Sequence, residues 1–479
     1  MKRKSIKKNC LFNLAYQILI LITPLITTPY LSRVLGADGV GSVSFAESIV
    51  SYFSLFAYMG ISTYGQREIS YVQDSKEKRS IIFWNTKILS FVTATIVLCV
   101  YACFVFFQDN SLIYIILSMN LVAVFFDITW FFQGLEEFGK IVFRNIIFRI
   151  VNIFYIFSMV HSEEDILVYA FGLAFFTLVS NISLWGYLPR YVQKMDKGSL
   201  SPFKDIGIVI SLFVPTIAVQ VYTVLDKTMI GVITGNSFEN GYYEYAIRMA
   251  RMVLTVVTAL GTVMIPRVGY YFEKKEIDTV KILMYRGYRF VWFLGIPLCF
   301  GMITIASNFV PWFFGEGYSR VVILLQILSM LILAIGINNV TGMQYLIPTK
   351  RQNLYTLTVL VGAVVNFILN MALIQNYQAL GAAVASVIAE TVIAIIQLIM
   401  VKKEISICRV LKEGKTYFVS GGIMAGVIML VSRNLESSLF NTFFLTAVGF
   451  TVYMVILFIL KDQFLISNFE LVCKKILKR

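Results

Sequence analysis

The chain has 479 residues, 58% of them hydrophobic and only 14% charged, with a formal net charge of +14. A soluble protein of this length needs far more polar surface, so the composition excludes one and fits a polytopic membrane protein. The cationic excess does not call for nucleic acid, because it sits in loops, where it faces anionic lipid.

Apolar runs long enough to cross ~30 Å of hydrocarbon recur along the whole chain. In order they predict about fourteen helical spans, near 11–31, 41–65, 83–107, 112–133, 143–160, 166–188, 206–233, 242–265, 290–313, 321–346, 354–374, 380–401, 416–432 and 441–460. The shortest are 143–160 and 416–432. The first span follows Lys2, Arg3, Lys4, Lys7 and Lys8, which imitates a signal peptide. No small-x-small cleavage site follows it, so it reads as an uncleaved span. The gaps between spans are short, the longest lying around 266–289, which leaves no room for a soluble domain.

Basic residues orient the spans. Thirty-three of the 41 Lys and Arg fall in alternate gaps, at 2–8, 67–79, 140–144, 190–204, 267–289, 350–351, 402–415 and 461–479. The intervening gaps hold only Arg33, Arg320 and Arg433. Such alternation predicts an even number of spans with both termini on the cytoplasmic side of the membrane. Six scattered Cys, at 10, 99, 103, 299, 408 and 473, form neither a disulfide framework nor a metal pattern. His161, beside Glu163, Glu164 and Asp165, reads as a solvated residue of an external loop.

A weak internal echo links the halves. Pro24 and Pro29, then Arg33 to Gly36 and Gly39 to Ala46, are echoed by Pro215, Lys227 to Gly231 and Asn240 to Ala246. Gln133 and Lys140 are echoed by Gln344 and Lys350. Six spans, an even number, would then repeat in the same orientation, giving two six-helix lobes in parallel pseudo-repeat. The expected organisation is a first lobe over 1–190, a second over 205–401, two additional helices over 416–460 and a basic cytoplasmic tail over 461–479.

Five basic residues remain inside the spans: Lys87, Arg149, Lys227, Arg248 and Arg251. A cation at the bilayer centre costs on the order of 2.5–3.5 kcal/mol, so it normally faces a cavity or a partner. Lys87 and Arg149 sit near span ends, where snorkelling to the interface competes with a functional role. Asp226 and Lys227 are adjacent and point about 100° apart on a helix, so they cannot simply neutralise each other. Glu244, Arg248 and Arg251, at i, i+4 and i+7, share one helical face beneath Tyr242, Tyr243 and Tyr245. That stripe reads as one wall of a water-filled path, with an intrahelical Glu–Arg pair and an interfacial aromatic belt as the bland alternative. Glu47, Asp127 and Glu390 are lone embedded acids, each a coupling site or a structural ion-pair partner. Together these residues describe a cationic cavity between lobes, suited to a diphosphate held by Arg forks and Lys point charges, with tyrosines stacking on sugar faces.

Several segments resemble one family. Thr28-Pro-Tyr-Leu-Ser-Arg33-Val-Leu-Gly-Ala-Asp38-Gly-Val-Gly41, with Gly60-Ile-Ser-Thr-Tyr-Gly65-Gln-Arg67-Glu68, is similar to the Wzx-type polysaccharide repeat-unit flippases. So are Asp127-Ile-Thr-Trp130-Phe-Phe-Gln133-Gly-Leu-Glu136, Thr223-Val-Leu-Asp226-Lys227-Thr-Met-Ile-Gly231 and Gly261-Thr-Val-Met-Ile-Pro266-Arg267. These flippases belong to the multidrug/oligosaccharidyl-lipid/polysaccharide exporter superfamily. The resemblance implies fourteen helices, two six-helix lobes and alternating access. It implies transport of undecaprenyl-diphosphate-linked oligosaccharides from the inner to the outer leaflet for capsule, exopolysaccharide or O-antigen synthesis. Membrane lipids and other polysaccharide-assembly membrane proteins are the implied partners. Arg33, Asp226 and Lys227 lie inside family motifs. Glu47 stands where relatives often carry Gln or another polar residue, which weakens it as a coupling group.

Two other classes compete. A cation-coupled multidrug extruder of the same superfamily would favour acidic residues facing its cargo, and the Arg248/Arg251 stripe argues against it. A membrane glycosyltransferase or polymerase needs a substrate-binding loop outside the bilayer, which the short gaps do not provide. No P-loop or cofactor motif is present, so the expectation is a non-enzymatic transporter, with Na⁺ and H⁺ equally open as coupling ion.

Overall fold

In the computed structural model, residues 6–108, 111–195, 197–259 and 261–466 are described. Among them the chain is helical with no strand. The expected basic tail lies outside these residues from 467 onwards. Backbone polar groups in lipid have no water to bond, so an uninterrupted apolar chain must satisfy them within helices.

The chain divides into two compact units, Met1–Gly241 and Tyr242–Arg479. The first contains α1 (Ile6–Val34), α2 (Gly36–Tyr58), α3 (Ile61–Tyr71), α4 (Lys76–Phe106) and α5 (Ser111–Phe126). It continues with α6 (Thr129–Gly134), α7 (Phe138–Met159), α8 (Ile166–Ser183) and α9 (Ile206–Thr234), and ends within α10 (Ser237–Thr258). The second contains α11 (Gly261–Glu273), α12 (Ile277–Phe314), α13 (Ser319–Leu328) and α14 (Leu331–Asn338). A π-helix over Asn339–Leu346 follows, then α15 (Gln352–Tyr377), α16 (Ala379–Val401), α17 (Ile407–Ser432) and α18 (Leu439–Ile459).

Twelve helical stretches among the described residues are long and apolar enough to cross a membrane. The other two expected spans correspond to α9 and to α10, whose charges lower its hydropathy. The expected 242–265 span is displaced: α10 starts at Ser237 and ends at Thr258. The expected 143–160 and 416–432 spans lengthen at their basic ends, to 22 and 26 residues, because Lys140, Lys412 and Lys415 are helical rather than loop. The 266–289 gap is not a loop either; α11 and the first turns of the 38-residue α12 fill it.

Three expected spans are interrupted. The second breaks at Met59 and Gly60, both in the left-handed region at φ 39° and 72°. Gly60 is required there twice over, since a Cβ would also press on the Val209 carbonyl at 2.8 Å. The fourth breaks at Asp127–Ile128, between α5 and α6. The tenth is divided among α13, α14 and the π-helix. In the π-helix Gln344 Nε2 donates to Asn339 Oδ1 at 2.9 Å.

In the first unit, α2 runs past the α9–α10 turn with no side chain between the backbones. A Cβ on Gly41 would collide with the Ser237 carbonyl, and one on Gly241 with the Ala37 carbonyl. Such closeness is the use of small residues in membrane helix packing. The Ser237 hydroxyl donates to Asp38 Oδ1 beside this crossing, and Thr228 Oγ1 donates to Ser48 Oγ at 2.9 Å further along α2.

In the second unit, α17 and α18, expected as additions to a six-helix lobe, share its core by packing on α12. Trp292 Nε1 donates to the Val410 carbonyl at 3.0 Å, and the Tyr453 hydroxyl to the Phe293 carbonyl at 2.9 Å. Trp292, Tyr288, Tyr417 and Tyr453 are buried in this core. Aromatic side chains with a polar tip suit such sites, because the ring packs while the tip meets a backbone group.

The glycine crossing gives a direct test. Gly241→Val should destabilise the protein by about 1–3 kcal/mol through overpacking against the Ala37 carbonyl. Detergent-solubilised protein heated and assayed by size-exclusion chromatography would show it, and an unchanged melting temperature would refute the close approach.

Candidate functional site

The embedded charges separate into two settings. In the first unit three of them, Lys87, Asp127 and Arg144, gather at the break between α5 and α6, which leaves carbonyls of the α5 C-terminus without helical partners. Side chains from neighbouring helices meet them. Lys87 Nζ of α4 donates to the Asp127 carbonyl at 3.2 Å. Asn181 Nδ2 of α8 donates to the Ala123 carbonyl at 3.0 Å, and Trp185 Nε1 to the Phe126 carbonyl at 2.8 Å. Asp127 Oδ1 itself accepts from the Thr129 N–H at 2.8 Å and so starts α6.

Lys87 is only 5% exposed, and its ammonium also lies 5.6 Å from the centre of the Trp185 ring. It therefore does not snorkel to the interface. Arg144, assigned from the sequence to a cytoplasmic gap, is 8% exposed in the same network. Its guanidinium donates to Asn145 Oδ1 at 2.8 and 3.0 Å and to the Ser180 carbonyl at 3.2 Å. Sequence reading missed it; its signal was the following Asn145, a polar neighbour inside an otherwise apolar helix.

The other expected residues of this unit are dispersed. Arg149 of α7 is half-buried, and its Nε donates to Thr23 Oγ1 of α1 at 3.0 Å. Arg33 is exposed at the end of α1 and donates to the Pro29 carbonyl at 2.6 Å. Glu47 is half-buried on α2. On α9, Asp226 is buried near Tyr52 and Lys227 is half-buried.

In the second unit, α10 presents the expected stripe. Glu244 Oε1 receives both Nε and Nη2 of Arg248, at 3.1 and 2.6 Å, from one turn earlier. This is the intrahelical pair that the i, i+4 spacing allows, and it fixes the plane of the guanidinium. Arg251 is exposed one turn further on. The tyrosines above the stripe do not all offer sugar-stacking faces. Tyr243 and Tyr245 are buried, Tyr245 against Phe314 and Tyr318, and only Tyr242 keeps part of its surface exposed. Glu390, on α16, accepts from Asn338 Nδ2 of α14.

Of the ion pairs outside the expected spans, that of Arg351 with Glu404 has the fullest geometry. Arg351 places Nη1 and Nη2 on the two carboxylate oxygens of Glu404, both at 2.9 Å, with its guanidinium 4.8 Å from the Tyr345 ring centre. Burial alone would raise the Glu404 carboxyl, but the Arg351 fork and the Tyr345 hydroxyl outweigh it and hold the carboxyl below its usual value.

A family profile described as Polysaccharide biosynthesis protein matches residues 6–272. A putative O-antigen transporter of Shigella dysenteriae is 26% identical over 403 residues, covering 79% of this chain and 96% of its own. The putative O-antigen transporter of Escherichia coli strain K12 is 22% identical over 404 residues, covering 83% and 97%. A probable low-salt glycan biosynthesis flippase of Haloferax volcanii is 23% identical over 407 residues, covering 83% and 84%. Among solved structures, the lipid II flippase MurJ in an inward closed conformation superposes with a TM-score of 0.71 at 16% identity, over 95% of this chain and 99% of its own. An inward-facing multidrug resistance transporter of the MATE family reaches 0.64 at 14% identity, over 87% and 97%. At such identities the structural likeness shows a shared fold. The all-helical polytopic architecture and the flippase resemblance read from the sequence agree with these findings.

Two outcomes follow from the bonded charges. Lys87→Met keeps the side-chain volume but strands the Asp127 carbonyl, and should cost about 1–3 kcal/mol in thermal melting; no loss would show that the bond is dispensable. Glu404, with its folded pKa depressed, stabilises fully above the unfolded carboxyl value of about 4.3 and loses that contribution as pH falls through the lower folded value. Because the pair is partly exposed, Glu404→Gln should lower the melting temperature by only ~2 °C at pH 7. The gap should close as pH falls below 4, and a gap independent of pH would refute the ion pair as its source.

Proposed function

The chain belongs to the polysaccharide biosynthesis protein family, and on that premise we propose that it flips lipid-linked oligosaccharide repeat units across the cytoplasmic membrane by alternating access. The cargo is an undecaprenyl-diphosphate-linked oligosaccharide destined for O-antigen, capsule or exopolysaccharide. The observation that carries the reading is near-full-length similarity to O-antigen transporters combined with the cationic face of α10. The family's transporters move their cargo without changing it covalently, so no catalytic residue is assigned. Both termini lie in the cytoplasm on the charge alternation, and the two six-helix repeats over 1–190 and 205–401 are supported by interrupted helices at the fourth and tenth spans.

Within this reading Lys227, Arg248 and Arg251 contact the diphosphate, with Glu244 holding Arg248 in a fixed plane. Arg149 and Arg33 contribute positive potential toward the ends of the path. Lys87 and Asp127 serve the helix break. Asp226, Glu47 and Glu390 are the acids left for coupling to Na⁺ or H⁺. Lipids are the surrounding partner, with other polysaccharide-assembly membrane proteins receiving the cargo. A multidrug extruder shares the fold but would not need the α10 arginines.

The test is genetic and biochemical. Lys227→Ala and Arg248→Ala should each reduce surface polysaccharide at least tenfold, while immunoblots of membrane fractions show normal protein. Unaltered polysaccharide in both variants, or a gain in drug sensitivity in its place, would overturn the proposal.

A further inference from the structure

A cavity of about 730 Å³ opens in the first unit, among the start of α2, the α4–α5 and α7–α8 connections and the α9–α10 turn. This falls within the roughly 300–1,000 Å³ of small-molecule sites. Among the described residues, none assigned to the diphosphate lines it, and neither does any Lys or Arg. Its polar lining is amide, hydroxyl and carboxylate, and includes Gln108, Ser111, Asn236, Asn240 and Glu164, with the aromatic ring of Tyr114. The connections that frame it are the ones poor in basic residues, which the charge alternation places outside the cell.

Asn240 marks the cavity as a binding site. It is 0% exposed, yet neither its Oδ1 nor its Nδ2 has a hydrogen-bond partner among the described residues. A buried amide with both ends unmet is costly and rare in folded proteins. A ligand that offers an acceptor and a donor side by side would satisfy both ends together. Vicinal sugar hydroxyls have that pattern, since each donates once and accepts twice. The exposed carboxylate of Glu164 accepts from hydroxyls, and the Tyr114 ring matches the C–H face of a pyranose. With no fixed cation, the lining disfavours phosphate.

We propose that this cavity is an outward-facing saccharide subsite that holds the neutral glycan of the cargo apart from the groups that hold its diphosphate. The proposal rests on the flippase reading and adds to it a separate address for the sugar. Two tasks are then divided between two places. Cations secure the charged lipid anchor, and an amide-rich pocket receives the hydroxylated end as it leaves.

The probe is the oligosaccharide pool released by mild acid from the lipid-linked fraction of the native host, which carries no diphosphate. Saturation-transfer NMR with the full chain in detergent micelles should show transfer to sugar protons. Asn240→Leu, which removes both amide groups, should weaken binding at least tenfold. Glu164→Gln, at the exposed rim and outside the core, should weaken it several-fold, which keeps the test decisive if the first variant does not fold. Excess inorganic pyrophosphate should not compete. Absence of transfer with the native chain, equal binding by both variants, or competition by pyrophosphate would each overturn the subsite. Deletion of the chain in the same host separates the two claims. Loss of surface polysaccharide with no glycan binding defeats the subsite alone, whereas intact polysaccharide defeats the flippase reading and the subsite with it.

Discussion

Every interruption of a helix inside lipid must be repaired by hydrogen bonds, because the bilayer offers none. The repair at the α5–α6 break organises much of the first unit. Three carbonyls in sequence, of Ala123, Phe126 and Asp127, are met by Asn181, Trp185 and Lys87, drawn from α4 and the α8 region. Arg144 extends the same network through Asn145 and Ser180. Three helices, α4, α7 and α8, are thereby tied to one irregular turn. Removing any donor leaves a buried acceptor unmet, which costs more than the bond itself contributes.

This repair also explains why embedded charge has two meanings here. Lys87 and Arg144 are spent on backbone and amide acceptors and are almost fully buried. The α10 arginines are held differently. Glu244 steadies Arg248 within its own helix, while Arg251 remains exposed. Cations as differently placed as Lys87 and Arg251 cost the same on a hydropathy scale; burial and partner type separate them.

Much of the fold was legible in the sequence. Span positions follow from apolar length, and the Glu244–Arg248 pair from helical spacing. The breaks were not, because hydropathy does not change when Gly60 or Asp127 interrupts an apolar run. Asp127 two residues before Thr129 was the local cue, since a short acid can bond the backbone ahead of it. Arg144 was placed in a loop because charge normally ends a span, and only the partners on α8 show why it does not. Asn240 was equally silent: an Asn at the head of a helix reads as ordinary turn chemistry, and its unmet amide depends on what packs around it. The tyrosines misled in the opposite direction, since burial of Tyr245 is set by Phe314 and Tyr318, some seventy positions away.

The π-helix at Asn339–Leu346 carries a consequence for chain length. In an α-helix, residues five apart point about 140° away from each other, so Gln344 could not reach Asn339. The wider winding brings the two amides together and absorbs an extra residue without breaking the helix. Deleting a single residue from this turn would close it to α-geometry with the helix on either side facing as before, at the cost of the Gln344–Asn339 bond. Arg351 would keep its place beside Glu404. The segment is thus a store of one spare residue, tolerant of a deletion that a regular helix would pass on as a turn of about 100°.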